Sequence, residues 1–225
     1  MPTVTLRALA GFANLAVVMF LSIFLPAWSL DFWQGWVFLA AFLGPVLFIT
    51  LYFLRKDPLL ITRRLKAGPL AERRKKQKFI QTLASFFFIL ILLVPGFDHR
   101  LRWSTVPDLL ALASDAAVVL GLLIVFFVFK ENSYTSSAIE VTSKQSVIST
   151  GPYSAVRHPM YSGALLTLTF TPVALGSFCS ILLVLPMILL IILRILDEEE
   201  LLLHELPGYR EYCKKVRYRL LPRIW

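Results

Sequence analysis

The stretch RHPMYSG, residues 157–163, brings an arginine, a histidine and a tyrosine together just before an apolar run. Pro159 suits the first turn of a helix, because the N–H that proline lacks would have no partner there. Helical backbone geometry is disfavoured for His158, because it precedes the proline. Both features predict a helix start whose free N–H groups attract an anion such as a carboxylate.

The same stretch also fits a purely structural role. Arg and Tyr are common anchors where an apolar segment enters a membrane. Gly163, in the second turn of the predicted helix, permits the close approach of either a ligand or a neighbouring helix. From this motif alone, an interfacial anchor and a binding site are equally supported.

A second polar group, RILDEEELLL at 194–203, follows another apolar run. Arg194 lies at the edge of that run, where an ionisable side chain is costly and usually has a partner or a function. If the helix continues past the acidic residues, Arg194 and Glu198 are four residues apart and share a face. The alternative is an arginine that extends to the membrane surface beside a solvated acidic turn.

The elements that position these groups are predicted by the length of the apolar runs. The chain is 57% hydrophobic and 16% charged, and runs of about 18–22 apolar residues are long enough to cross a bilayer. The sequence therefore predicts an all-α, polytopic membrane protein with about six spans. The predicted spans are 9–29, 33–54, 79–95 (ending at Pro95-Gly96), 107–129, 159–176 and 179–196.

The last two predicted spans are short, and only a turn near Gly176-Ser177 separates them. They are expected to form a helical hairpin, which brings 157–163 and 194–199 to the same face of the membrane. The basic loop 55–78 is expected to be cytoplasmic by the positive-inside rule. Counting spans from it also places loop 130–158 and the C-terminal tail in the cytoplasm.

Charge and cysteine usage exclude several classes of protein. The net charge is +9, but the cations cluster between apolar runs, where they set topology and contact anionic lipids rather than nucleic acid. Cys179 and Cys213 lie far apart and the three histidines are scattered, so no protein-built metal site is expected. The phosphate-binding glycine motifs of soluble nucleotide enzymes are absent from the sequence.

Two further segments flank these groups. Asn132 directly follows the fourth predicted span and is a candidate hydrogen-bonding partner for a ligand. The polar loop after it ends in the turn signal TGPY, residues 150–153. The tail 209–225 mixes cations with tyrosines, which indicates either a surface helix at headgroup level or a lid over a site.

The sequence VISTGPYSAVRHPMYSG, residues 147–163, resembles the isoprenylcysteine carboxyl methyltransferase family and its relatives, which include membrane phospholipid methyltransferases. The family pattern continues here as Glu198-Glu199, Leu202, Gly208, Tyr209, Tyr212 and Pro222. Leu206-Pro207 departs from it, so the register of the glutamate pair within Asp197–Glu200 is open by one residue. The resemblance covers roughly 130–225 and divides the chain into N-terminal membrane helices, 1–129, and a methyltransferase-like region.

The resemblance implies an enzyme that binds S-adenosylmethionine between the ends of its last membrane helices and its C-terminal tail. Carried over residue by residue, the cofactor-binding positions are Gly151, Tyr153, His158, Pro159, Met160, Tyr161, Gly163, Tyr209 and Tyr212. The implied catalytic residues are Arg194, Glu198 and Glu199. The expected substrate contacts are Asn132, Arg194 and Glu198.

The activity that the resemblance implies is carboxyl O-methylation of a lipophilic or prenylated, isoprenylcysteine-type substrate in contact with membrane lipids. Three alternatives remain open at this point. They are N-methylation of a phospholipid amine, reduction of a sterol-type substrate by NADPH, and a non-enzymatic transporter or membrane scaffold.

Overall fold

The computed structural model describes residues 2–65, 68–72, 74–136 and 146–225, without the side chains of Pro2 and Leu70. These residues form helices and contain no strands, which confirms the all-α prediction. Parts of the predicted loops, namely 66–67, 73 and 137–145, lie outside the described residues. The α-helices are α1 (Pro2–Ala27), α2 (Trp33–Lys56), α3 (Pro58–Leu65), α4 (Lys75–Leu101), α5 (Asp108–Glu131), α6 (Pro159–Ala174), α7 (Val184–Glu205) and α8 (Tyr209–Lys215).

Five helical segments among the described residues are long and apolar enough to cross a membrane: α1, α2, α4, α5, and α7 with the 3₁₀ turn Cys179–Leu183 before it. The multi-pass prediction is confirmed. The fifth predicted span, 159–176, is a helix of only 16 residues, or about 24 Å against a hydrocarbon core of about 30 Å. It is short because Pro159 begins it and the turn at Gly176 ends it.

The predicted end of the third span at Pro95-Gly96 is wrong, because α4 continues to Leu101. A proline inside a helix leaves the carbonyl four residues earlier without its N–H partner. Here that carbonyl, of Ile91, accepts a hydrogen bond of 3.2 Å from the Ser180 hydroxyl. A neighbouring side chain thus replaces the lost partner, as membrane helices require.

The predicted hairpin between α6 and α7 is confirmed. Gly176 takes a left-handed conformation with φ +73°, and the Ser177 N–H closes the turn on the Pro172 carbonyl at 2.9 Å. The buried carboxylate of Asp98 accepts hydrogen bonds from Ser177 and Ser104 and so ties the turn to the end of α4. This arrangement returns α7 to the face where α6 begins.

Helices α5 and α6 pack closely through two glycines. A Cβ on Gly163 would lie 2.6 Å from the Gly121 carbonyl oxygen, and one on Gly121 would lie 2.6 Å from the Gly163 carbonyl oxygen. Neither position accommodates a side chain. Of the two uses predicted for Gly163, the structure shows the contact with a neighbouring helix.

The tail after α7 folds back onto the start of α6. Only Tyr209–Lys215 is helical, so the prediction of one surface helix over 209–225 is wrong beyond Lys215. The backbone there bonds elsewhere: the N–H of Arg157 donates to the Tyr218 carbonyl, and that of His158 to the Arg219 carbonyl, both at 2.9 Å. The tail therefore forms part of the structure around RHPMYSG.

Candidate functional site

A cavity of about 860 Å³, including its open mouth, lies where the end of α5, the start of α6, the end of α7 and α8 meet. Most of the residues predicted to form a site line it. They are Asn132, Tyr153, His158, Pro159, Met160, Tyr161, Arg194, Glu198, Tyr209 and Tyr212.

Tyr161 links the two groups of polar residues that the sequence analysis singled out. Its hydroxyl accepts a hydrogen bond from Arg194 Nε at 2.9 Å and donates one to Glu198 Oε2 at 2.8 Å. Arg194 and Glu198 lie one turn apart on α7 because the helix continues through the acidic run. The hairpin thus brings the Arg194 guanidinium, the Tyr161 phenol and the Glu198 carboxylate together at one wall of the cavity.

Arg194 is also held from the opposite side by the segment before α4 and by α4 itself. Its Nη1 donates to Gln77 Oε1 at 2.8 Å. The same nitrogen forms an ion pair with Glu72 Oε1 at 2.8 Å. Both partners are almost fully buried. The guanidinium is therefore fixed by groups from both halves of the chain.

The structure places Glu199 outside the residues that line the cavity. It is buried and lies among three basic side chains, 2.8 Å from Arg157 Nε, 3.3 Å from His158 Nε2 and 2.7 Å from Arg219 Nε. A residue one position along a helix is turned by about 100°, so Glu199 faces the tail while Glu198 faces the cavity. Glu199 joins the start of α6 to the folded-back tail.

The far wall of the cavity is a hydrogen-bonded set from the loop and α8. Asn132 Nδ2 donates to the Tyr153 hydroxyl at 3.0 Å, and the Tyr212 hydroxyl donates to the Tyr153 carbonyl at 2.7 Å. Burial raises the pKa of Tyr153 to about 12, so its phenol stays neutral. These contacts align polar groups along the cavity without placing a charge there.

Tyr209 differs from its neighbours because its hydroxyl is buried and has no hydrogen-bond partner among the described residues. Buried hydroxyls are nearly always paired, since an unpaired one costs about 1–3 kcal/mol. Burial also raises the pKa of Tyr209, which keeps its proton available for donation. Tyr209 lines the cavity, so its unpaired hydroxyl is a candidate donor to an accepting atom of a ligand.

Gly151 does not line the cavity, although the sequence analysis placed it in the cofactor site. It begins a 3₁₀ turn with φ +54°. A Cβ there would lie 2.9 Å from Glu131 Oε2. Its role in the structure is to let the turn pass close to the end of α5.

Two residues of this network, Glu72 and Gln77, were missed by the sequence analysis. One signal was available for Glu72, which is an acidic residue within the most basic segment of the chain. Gln77 carried no signal, because a glutamine at the start of a membrane helix is common in a solvated first turn. Only the packing of α4 on α7 brings them to Arg194.

The side chains that line the cavity suit a ligand that carries both a positive and a negative charge. Glu198 offers a carboxylate to a cation, Arg157 and His158 lie near a helix start that favours an anion, and the tyrosines offer aromatic faces. No group of three metal-ligating side chains occurs within the part of the chain that the structure describes.

Comparison with known families identifies one match. Residues 110–209 match the model of the phospholipid methyltransferase family. The matched range runs from α5 to the start of α8 and contains His158, Tyr161, Arg194 and Glu198. The match supports a membrane methyltransferase and confirms the resemblance read from the motif. A comparison with curated proteins finds no match.

Proposed function

We propose that this chain, which matches the phospholipid methyltransferase family over residues 110–209, is an S-adenosylmethionine-dependent methyltransferase of a lipophilic acceptor. The observation that carries the proposal is the cavity in which Tyr161 joins Arg194 to Glu198 beside the unpaired Tyr209 hydroxyl. The proposed reaction is carboxyl O-methylation of an isoprenylcysteine-type substrate.

The residues present fit the proposed cofactor. S-adenosylmethionine supplies an electrophilic methyl group on a sulfonium, and it also carries an ammonium, a carboxylate, a ribose and an adenine. Glu198 is the cavity's carboxylate for a cationic group, and Tyr209 has a hydroxyl ready to donate to an accepting oxygen or nitrogen. The start of α6, with Arg157 and His158 beside it, suits the carboxylate.

The protein itself contributes to O-methylation by positioning the two reactants and by excluding water. Bound S-adenosylmethionine would supply its methyl group to an acceptor carboxylate, and the electron pair of the broken carbon–sulfur bond would stay on sulfur. No proton moves in this step, so the protein needs no base. Arg194, held against Tyr161, orients the acceptor carboxylate, and positioning of the two reactants is the main source of acceleration in such a displacement.

N-methylation of a phospholipid amine is the second candidate, and one observation favours it. The Arg194 guanidinium already contacts Tyr161, Gln77 and Glu72, whereas Glu198 faces the cavity. An ammonium acceptor must lose a proton before its nitrogen can attack, and the Glu198 carboxylate is placed to accept that proton.

A lipid acceptor would reach the cavity from the bilayer, with its polar end at the membrane face that carries the basic segment 55–78. By the positive-inside rule this face is the cytoplasmic one. The proposed location of the site is thus the cytoplasmic surface of a multi-pass membrane protein. Its partners are membrane lipids and the lipophilic substrate.

The test uses membranes that contain the protein, incubated with methyl-labelled S-adenosylmethionine, followed by identification of the labelled product. A base-labile label indicates an ester, and a base-stable label on a lipid headgroup indicates N-methylation. Tyr161→Phe removes the bridging hydroxyl and is expected to lower the rate about 10- to 100-fold, since hydrogen bonds to charged groups contribute about 1.5–3 kcal/mol.

Binding experiments on the purified protein separate the remaining classes. Saturable binding of S-adenosylmethionine, measured by calorimetry in detergent, is expected, and binding of NADPH is not. NADPH binding alone would support the sterol-type reductase instead. The absence of binding for both would leave the transporter or scaffold and refute the proposal.

A further inference from the structure

The segment before α4 and the first turn of α4 each place one side chain against Arg194 of the candidate site. Glu72 is 3% exposed and Gln77 is fully buried. Both lie outside the range that matches the methyltransferase family, 110–209, and outside the region of sequence resemblance. Their contacts with Arg194 join residues more than one hundred positions apart.

We propose that Glu72 and Gln77 are positioning residues that hold the Arg194 guanidinium in the orientation in which it bonds to Tyr161. Their effect on the reaction rests on the proposed methyltransferase function. Their effect on Arg194 itself does not, so the two claims can be tested separately.

The contact between Glu72 and Arg194 is electrostatic. A buried carboxylate is costly unless a cation lies beside it, and removing one partner of such a pair leaves the other uncompensated. Glu72 lies 2.8 Å from Arg194 Nη1 at its carboxylate oxygen Oε1. Each group thus explains the burial of the other, and Glu72 supplies a charge that sets where the guanidinium lies.

The Gln77 amide bonds on both of its sides. Its oxygen accepts from Arg194 Nη1 at 2.8 Å, and its nitrogen donates to Asp197 Oδ2. Asp197 is itself buried and paired with Arg74 at 3.1 Å and Lys76 at 3.4 Å. An amide is required here, because a carboxylate at position 77 would face Asp197 and an apolar group would bond to neither.

A second residue of α4, Gln81, extends this contact. Turning the Gln81 side-chain amide over brings its oxygen to 3.0 Å from Arg194 Nη1 and 3.2 Å from Nη2. This orientation satisfies donors and acceptors on both sides, and amide orientation is an assignment made from such networks. One face of α4, through Gln77 and Gln81 four residues apart, therefore contacts the guanidinium.

The two ends of the Arg194 guanidinium therefore have different partners. The Nη1 end is held by Glu72 and Gln77, and Nε is thereby aimed at the Tyr161 hydroxyl. The orientation in which Arg194 bonds to Tyr161 therefore depends on residues that the family match does not cover.

The test compares Glu72→Gln, Gln77→Glu and the exposed control Lys75→Ala with the wild-type chain. We expect kcat to fall about tenfold or more in the first two variants, while the dissociation constant for S-adenosylmethionine changes less than about threefold. The control should retain wild-type kcat. Unchanged kcat in correctly folded Glu72→Gln would overturn the proposal and leave the methyltransferase function standing.

A double-mutant cycle covers the case in which the variants fold poorly or the wild type shows no methyl transfer. Unfolding in detergent is measured for Glu72→Gln, Arg194→Gln and the double variant. If Glu72 holds Arg194, the double variant should lose less stability than the sum of the losses in the two single variants. The difference should correspond to at least about a fivefold change in the unfolding equilibrium constant. Additive effects would overturn the proposal whether or not the chain transfers methyl groups.

Discussion

At the scale of single residues, Tyr209 and Tyr212 form a natural comparison on one short helix. Their rings lie 5.7 Å apart between centroids, and both line the cavity. The Tyr212 hydroxyl donates to a backbone carbonyl, whereas that of Tyr209 has no partner among the described residues. The two phenols should therefore respond differently to the loss of their oxygen.

We expect Tyr209→Phe to leave the free protein as stable as wild type or more stable, because an unpaired buried hydroxyl contributes nothing favourable. The same change should weaken S-adenosylmethionine binding about five- to tenfold, which corresponds to the loss of one hydrogen bond of about 1 kcal/mol. Thermal unfolding and calorimetry in detergent measure the two effects.

The matched control for that prediction is Tyr212→Phe, which breaks an existing hydrogen bond and should lower stability by about 1 kcal/mol. A Tyr209→Phe protein that loses stability and keeps full affinity would show that the hydroxyl has a structural partner and no ligand.

At the scale of elements, the contact between α5 and α6 sets the position of the helix that begins with His158 and Pro159. The two backbones approach through Gly121 and Gly163, with no room for a side chain on either. Close packing of this kind replaces the hydrophobic effect as the source of association between membrane helices.

Gly121→Ala is therefore expected to destabilise the protein by about 1–3 kcal/mol, the usual cost of overpacking, and to lower activity by displacing the start of α6. Gly44→Ala in α2 is the matched control, because a Cβ there meets nothing within 4 Å. It should be neutral or stabilising by up to about 1 kcal/mol. Equal effects of the two changes on thermal unfolding would contradict the packing argument.

At the scale of the whole molecule, the two free cysteines mark opposite ends of the helix bundle. Cys179 lies exposed at the turn before α7, and Cys213 lies in α8 just after α7 ends. The 22 residues of α7 span about 33 Å, which is about the thickness of the hydrocarbon core.

In sealed vesicles with the cytoplasmic face outward, a membrane-impermeant maleimide should label Cys213 in the Cys179→Ser variant. It should not label Cys179 in the Cys213→Ser variant until detergent is added. Labelling of Cys213 should be slow, because burial raises the pKa of its thiol. Labelling of both cysteines from one side would refute the predicted topology.

The sequence by itself determined the class of the protein and the outline of the site. Apolar runs long enough to span a bilayer predict helices whatever lies around them, since backbone groups in lipid must bond within the segment. Pro159 and Gly176 act through local backbone geometry, so the start of α6 and the hairpin were predictable. The spacing of Arg194 and Glu198 likewise follows from helix periodicity.

Only the tertiary structure decided which acid faces the cavity, where α4 ends and how the tail folds. Glu198 and Glu199 are neighbours in sequence, but the rotation of α7 against α4 and the tail sends them to different partners. Helix α4 passes Pro95 because Ser180, 89 positions from Ile91, donates a hydrogen bond to the Ile91 carbonyl. Glu72 and Gln77 meet Arg194 through packing between distant helices, which no local pattern encodes because such contacts depend on how complete elements fit together.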